Sequence, residues 1–226
     1  MNLNGIYAHG KKMSHGLFYS YSQERRLKLM KIYLLDINKD MTDAWCKYFK
    51  DIEDVEIVHD YFNNFMDNHF DIEAVVSPSN SFGLMDGGYD KAITDYFGEE
   101  LMKTVQDNIL ELYYGEQPVG TCMSVIIPHI CHNKKFPMYL LHTPSMRTPE
   151  VIKDTRIIYQ CMRTTLIEAN LLALDNIVIP AFGGLTGRVS CDEVAKMMYL
   201  AYKQIYNQPE ELNWGYALHI AKELRQ

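Results

Sequence analysis

Apolar positions along the chain fall into two alternating kinds of run. The first is short and rich in branched side chains, as strands buried on both faces require. Such runs occur at Lys31-Ile-Tyr-Leu-Leu35, Val55-Glu-Ile-Val58, Ile72 to Ser77, Val125-Ile-Ile-Pro128, Tyr139-Leu-Leu141 and Asn176 to Pro180. The second kind is longer and spaces its apolar residues as a helix face does. It predicts helices over 42–50 (capped by Thr42, with Trp45, Tyr48 and Phe49 on the apolar side), 91–114 with a break near Gly98, 155–172 and 191–206. A last helix containing Trp214, Ala217 and Ile220 follows the break at Pro209. A polar turn, His132-Asn-Lys-Lys135, separates two of the strands.

Strands that alternate with helices predict a three-layer α/β/α sandwich with a mixed, largely parallel central sheet. In such sheets ligands sit beyond the carboxyl ends of the strands, where loops meet helix N-termini. Residues 1–29 keep neither period. They read as an N-terminal extension, either with a short helix near 22–29 or poorly ordered. Residues 30–226 read as a single domain with a C-terminal helix.

Composition narrows the picture modestly. With 47% apolar and 23% charged residues the chain can build a core without staples, and its net charge of −7 argues against a broad phosphate-backbone footprint. Nucleic acid is therefore not expected as a partner except as a modified substrate. The five cysteines are odd in number and spread out, which suits reduced thiols and a cytoplasmic setting. No apolar stretch is long enough to span a membrane, so no membrane partner is expected.

Two turns carry candidate chemistry. The first is Ser77-Pro-Ser79-Asn80-Ser-Phe-Gly83-Leu-Met-Asp86-Gly87-Gly88-Tyr89-Asp90, which leaves a buried strand and enters a helix. Its glycines let the backbone approach a ligand, and the helix start offers free N–H groups to an anion. Asn80 supplies a donor and an acceptor suited to a ribose hydroxyl pair, and Asp90 could orient or deprotonate a water. An Asx-rich turn with a helix cap accounts for the same residues equally well. The second turn, Pro180-Ala-Phe182-Gly183-Gly184-Leu185-Thr186-Gly187-Arg188, again joins strand to helix. Successive amides in such a turn can form an anion-binding nest. Together the two turns suit a ligand with adjacent phosphates.

The run Ala74-Val-Val-Ser-Pro-Ser-Asn80 with Met85-Asp-Gly-Gly-Tyr-Asp90-Lys-Ala-Ile93 resembles the macrodomain signature, most closely that of a bacterial and phage-like branch. Gln117-Pro-Val-Gly120, Thr143-Pro-Ser-Met-Arg147-Thr-Pro149 and Pro180 to Gly187 are similar to further elements of that branch, in the same order. The resemblance implies a family that binds ADP-ribose and processes its conjugates, with no cofactor. It implies that Asn80 contacts the distal ribose, and that Ser79, Gly87, Gly88 and Tyr89 line the diphosphate from one side. Phe182, Gly183, Gly184, Leu185, Thr186 and Gly187 would line it from the other. Asp60 stands where the family's adenine-binding aspartate follows its strand, with Asp36 as the competing carboxylate. Asn80 and Asp90 are the implied catalytic pair.

Three departures bear on activity: Leu185 replaces a frequent glycine, Thr186 replaces a frequent aromatic ring, and Thr94 stands where hydrolytic members often carry His. Three functions follow as expectations: hydrolysis of an ADP-ribosyl ester on protein or of O-acetyl-ADP-ribose, non-catalytic reading of ADP-ribose or an ADP-ribosylated protein, and a structural or virion protein that keeps the fold. Cys122, His129, Cys131 and His132 fit no metal-ligand spacing, so no metal site is expected. Cys191, at a helix start, is a candidate for a lowered thiol pKa. Arg147 could approach a phosphate or brace its own loop.

Overall fold

The computed structural model describes residues 30–131 and 138–225. The predicted extension over 1–29 and the predicted turn at His132 lie outside the described residues.

The described strands are β1 (Lys31–Asp36), β2 (Val55–His59), β3 (Ala74–Ser77), β4 (Met123–Ile126), β5 (Tyr139–His142) and β6 (Asn176–Ile179). They form one sheet in the order β2-β1-β6-β3-β5-β4. Every pairing is parallel except β4 with β5, which is antiparallel at the sheet edge. The helices are α1 (Lys39–Phe49), α2 (Phe62–Asn68), α3 (Gly88–Phe97), α4 (Glu99–Tyr113), α5 (Arg156–Leu171), α6 (Cys191–Tyr206) and α7 (Trp214–Glu223).

The strand alternation creates the layers. In β1, Ile32 and Leu34 face one side while Tyr33 and Leu35 face the other. The first side packs against α1, α5 and α6 through Trp45, Phe49, Met162, Leu166 and Met198. The second packs against α2, α3 and α4 through Phe65, Ile93, Leu101, Val105 and Ile109. Each large apolar side chain closed off in this way contributes about 1.5–3 kcal/mol. The result is the expected α/β/α sandwich with a mixed, mostly parallel sheet.

Local differences from the sequence reading have local causes. Helix α1 starts earlier than predicted because Asn38 caps it, its side chain accepting from the Asp40 amide at 3.0 Å. Thr42 is buried inside the helix and donates to the Lys39 carbonyl at 3.0 Å. Strand β4 begins at Met123 rather than Val125. Helix α2 was not predicted; its seven residues give the period too little length to register, and no side chain caps it.

Candidate functional site

The carboxyl ends of β1, β2, β3, β5 and β6 open into one cleft of about 540 Å³, within the range of small-molecule sites. Its lining comes from the residues that follow each strand: Asp36 to Asn38, Asp60 to Phe62, Pro78 to Asn80, Ser145 and Met146, and Pro180 with Ala181. The starts of α1, α3 and α6 also border it, at Asn38, Gly87 to Asp90 and Cys191. Helix α3 has no side-chain cap, so its first amides and the positive end of its dipole are presented towards the cleft. No Lys or Arg lines the cleft among the described residues. Charge on an anionic ligand would be met by backbone amides and helix ends.

The first loop is held as an extension of the sheet. Beyond β3 and β5 the parallel pairing continues: the Thr143 amide donates to the Ser77 carbonyl at 2.9 Å, the Ser145 amide to Ser79 at 3.1 Å, and Asn80 bridges Met146. The Ser145 hydroxyl donates to the Pro78 carbonyl at 2.9 Å. Within this frame the Asn80 side chain turns onto its own backbone. Its Oδ1 accepts from the amides of Phe82 (3.0 Å) and Leu84 (3.3 Å), and its Nδ2 donates to the Leu84 carbonyl at 2.8 Å. This corrects the expectation of a donor and an acceptor for a ribose. The acceptor is committed to the turn, and one Nδ2 proton is left to point at a ligand. Gly83 (φ +64°) has to be glycine, because a Cβ would lie 2.9 Å from the Ile109 side chain.

Asp90 sits in the first turn of α3, half-buried in the wall of the cleft. The Ser77 hydroxyl donates to Asp90 Oδ1 at 2.6 Å. Burial raises the Asp90 pKa to about 7; the Ser77 bond opposes that rise and the nearby Asp86 charge adds to it. Tyr89 lies beside it, its ring edge-on to Phe62 at 5.3 Å. Its buried hydroxyl has no hydrogen-bond partner, nor has the buried Ser79 Oγ, and both residues line the cleft. Burial, then Asp36 and Asp90, hold the Tyr89 hydroxyl well above the ordinary tyrosine value.

The second loop brings Gly183, Gly184, Leu185 and Thr186 to the opposite wall. Leu185 is 80% exposed, and its side chain reaches the position where a Gly88 Cβ would stand, at 3.6 Å. The two loops therefore meet at the rim. Two expected contacts are corrected. Phe182 is wholly buried in the core between the sheet and α5 and α6, away from the cleft. Gly187 does not line the cleft either; a Cβ there would sit 2.5 Å from the Gly183 carbonyl oxygen, so its smallness serves packing. Its own carbonyl accepts from the Ile152 amide at 3.0 Å.

Sequence comparison decides what this arrangement is. The family model described as "Macro domain" matches residues 76–198, more than half of the chain. The chain belongs to the macro domain family. A mutant of the Oceanobacillus iheyensis macrodomain with ADPR is similar in structure, with a TM-score of 0.52 and 18% identity over 68% of this chain and 85% of that one. The same macrodomain with ADP gives 0.51 and 18% over 68% and 83%. The macrodomain of Mycobacterium tuberculosis DarG gives 0.50 and 16% over 60% and 84%. At these identities the likeness is one of fold.

The matched span starts in β3, so the two carboxylates at the far end of the macro domain cleft lie before it. Asp36 and Asp60 close β1 and β2 side by side, where Asp36 registers with His59. Asp60 Oδ1 accepts from the Tyr61 amide at 2.7 Å and from Asn64 Nδ2 at 3.1 Å. Asp36 Oδ1 accepts from the Asn38 amide at 2.8 Å, and burial raises its pKa against the pull of those backbone bonds. Both residues face the cleft, so geometry leaves both as candidates for a base.

Other macro domain residues take structural roles. Arg147 pairs in bidentate fashion with Glu116, at 2.6 and 2.9 Å, and lies over the Phe82 ring; it braces the loop and does not line the cleft. Thr94 donates to the Met85 carbonyl at 2.9 Å and also stays outside the cleft lining. Gln117, fully buried, accepts from His142 Nδ1 at 2.6 Å and donates to the His142 carbonyl at 3.1 Å, tying its loop to the end of β5. Burial lowers that imidazole to about 3, so it is neutral. Cys191 lines the cleft, but burial, Asp40 and Asp36 raise its thiol pKa, which corrects the expectation of an activated thiolate. Among the described residues no group of three or more His, Cys, Asp or Glu is placed to hold a metal. No helix among them is long and apolar enough to cross a membrane.

Proposed function

We propose that this macro domain binds ADP-ribose across the strand ends and hydrolyses an ADP-ribose conjugate, an ADP-ribosyl ester on protein or O-acetyl-ADP-ribose. Binding is supported by the cleft volume, by the uncapped start of α3, and by the relatives described with ADPR and ADP. The diphosphate lies between Gly87 to Asp90 and Gly183 to Thr186, neutralised by amides and helix dipoles. The base lies towards Asp36 and Asp60, whose carboxylates accept from an exocyclic amino group. A reducing cytoplasmic setting belongs to the same reading, in keeping with five free cysteines.

The observation that carries hydrolysis is Asp90: a carboxyl raised to about 7, fixed by Ser77 and lining the cleft. A base with that affinity for protons is matched to neutral water chemistry. Ser77 occupies Oδ1, which leaves Oδ2 for the water. In the ionised form Asp90 takes a proton from water as the water oxygen bonds to the ester's acyl carbon; the acyl C–O bond then breaks and Asp90 returns the proton to the departing ribose oxygen, leaving a carboxylic acid and ADP-ribose. The remaining Asn80 N–H fixes a ribose oxygen during that step.

A second reading, a reader that binds without turnover, draws on two observations. The Asn80 acceptor is committed to its turn, and Thr94 brings no titratable group to the cleft. Release of ADP-ribose from a mono-ADP-ribosylated protein, measured beside calorimetry with free ADP-ribose, separates the readings. Turnover that Asp90→Asn abolishes while ADP-ribose still binds supports hydrolysis. Binding with no turnover above Asp90→Asn leaves the reader. Absence of binding refutes both.

A further inference from the structure

A second, shallower depression of about 320 Å³ adjoins the cleft, and the two share Ser145 and Met146 in their walls. Strand order fixes its direction. Asp36 ends β1 and Asp60 follows β2, Asp90 stands against β3, and Ser145 and Met146 follow β5. A ligand laid along the strand ends with its base at the aspartates brings its reactive end to β3. Whatever is attached to that end continues past β5 into the second depression.

That depression has apolar walls at Val119, Val151 and Ile157, with Arg147, Glu150 and Lys153 among them. Val151 is 49% exposed, while the neighbouring Ile152 is pinned against Gly183 and Gly187 of the second loop. The groove wall and the phosphate loop are therefore one packed unit. Arg147 is already paired with Glu116, and Glu150 adds a negative charge. A nucleic-acid backbone needs a row of available cations, and this groove does not supply one. An extended peptide with an apolar side chain beside the modified residue matches it better, since apolar contacts and one lysine suffice.

We infer that the groove at Val119, Val151, Lys153 and Ile157 is a docking surface for the polypeptide that carries the ADP-ribosyl group. The inference rests on the proposed function: the cleft takes the ADP-ribosyl moiety, and the groove reads its carrier. Free ADP-ribose engages the cleft alone, so the carrier peptide gains affinity from the second contact.

Calorimetry in an Asp90→Asn background, which keeps conjugates intact, tests it with three probes: free ADP-ribose, a peptide mono-ADP-ribosylated on glutamate, and an ADP-ribosylated oligonucleotide. The modified peptide is expected to bind about tenfold more tightly than free ADP-ribose. Val151→Glu and Lys153→Glu, both at exposed positions outside the cleft, are expected to remove that gain and leave free ADP-ribose within about twofold. In the otherwise unaltered enzyme the same contrast reads as a raised KM for the peptide conjugate and an unchanged KM for O-acetyl-ADP-ribose. Equal affinities for peptide conjugate and ADP-ribose, an equal loss for both in the variants, or a gain confined to the oligonucleotide would overturn the inference while the proposed function stands. No binding of ADP-ribose by any form overturns both.

Discussion

The two glycine loops look alike in sequence and differ in what their glycines are for. Around Gly87 there is open space, and the nearest atom to a Gly88 Cβ is the movable tip of Leu185 at 3.6 Å. Around Gly183 and Gly187 there is none: Cβ atoms would meet Ile152 at 2.5 Å and the Gly183 carbonyl at 2.5 Å. At Gly87 and Gly88 the missing Cβ leaves a helix start bare; at Gly183 and Gly187, as at Gly83 earlier in the first loop, it lets the chain fold tightly against its neighbours. In the proposed function the reacting carboxyl stands on the first wall, while the second wall is backed by the tightly packed Gly183 and Gly187. A glycine-rich turn is therefore ambiguous until its surroundings are known.

The comparison breaks most readily at Asp90. Asp90→Asn is expected to cut conjugate turnover by about 10²–10⁴-fold with ADP-ribose affinity retained, read by product release beside calorimetry. In the unaltered chain kcat/KM for the proposed hydrolysis should rise with pH through about 7 and level off above it, because that proposal makes the ionised carboxyl the active form. Stability runs the other way. A carboxyl raised from 3.8 in the folded state adds nothing unfavourable below 3.8. Above that, folding loses free energy until pH passes about 7, by a few kcal/mol at the order-of-magnitude level. Thermal melting between pH 4 and 8 should flatten in Asp90→Asn; an unchanged slope would remove the basis for Asp90 as the base.

On the second wall, Gly187→Ala drives a Cβ into backbone, and we expect about 3 kcal/mol of destabilisation, or roughly 6–12 °C in Tm. A melting curve like that of the unaltered chain would show that the second loop is not packed as described. Tyr89→Phe removes a buried hydroxyl with no partner, so unliganded stability should hold or rise while ADP-ribose binds about five- to tenfold more weakly. Affinity left intact would mean that the hydroxyl meets no ligand. Smallest of all, Gly87→Ala should shift stability by less than about 0.5 kcal/mol. If it matched Gly187→Ala, the contrast between the loops would vanish.

Much of the fold was legible because runs such as Ala74-Val-Val and Ile177-Val-Ile are continuous apolar stretches, the mark of strands covered on both sides. Helix α6 keeps the ends read from its apolar spacing, and the structure adds the cap: Ser190 Oγ accepts from the Glu193 amide at 3.4 Å. Phe62, Phe65 and Met66 pack α2 onto the sheet, yet two turns carry too few repeats to distinguish a helix from a loop. The site divided along the same lines. Asp60, Ser79 and Gly183 were named through the family resemblance, and their place after a strand is what brings them to the cleft. Properties set by distant neighbours could not be anticipated. Cys191 has Asp36 and Asp40 beside it only in three dimensions, Phe182 points into the core, and the Asn80 acceptor depends on the path of residues 82–84.

Strand β6 lies between β1 and β3, which do not pair with each other. Without residues 176–179 the strand pairings fall into two sets, β1 with β2 beside Asp36 and Asp60, and β3, β5 and β4 beside Ser79 to Asp90. Closing the gap requires contacts far apart in sequence, which is the slow part of assembling such topologies. As the chain emerges during synthesis, the Gly183 to Thr186 wall comes last, directly behind the strand that joins the two parts of the sheet. A polypeptide stopped short of β6 would lack both the central strand and the Gly183 to Thr186 wall, and it is expected to pass through an ADP-ribose resin, so capture there would report completed folding.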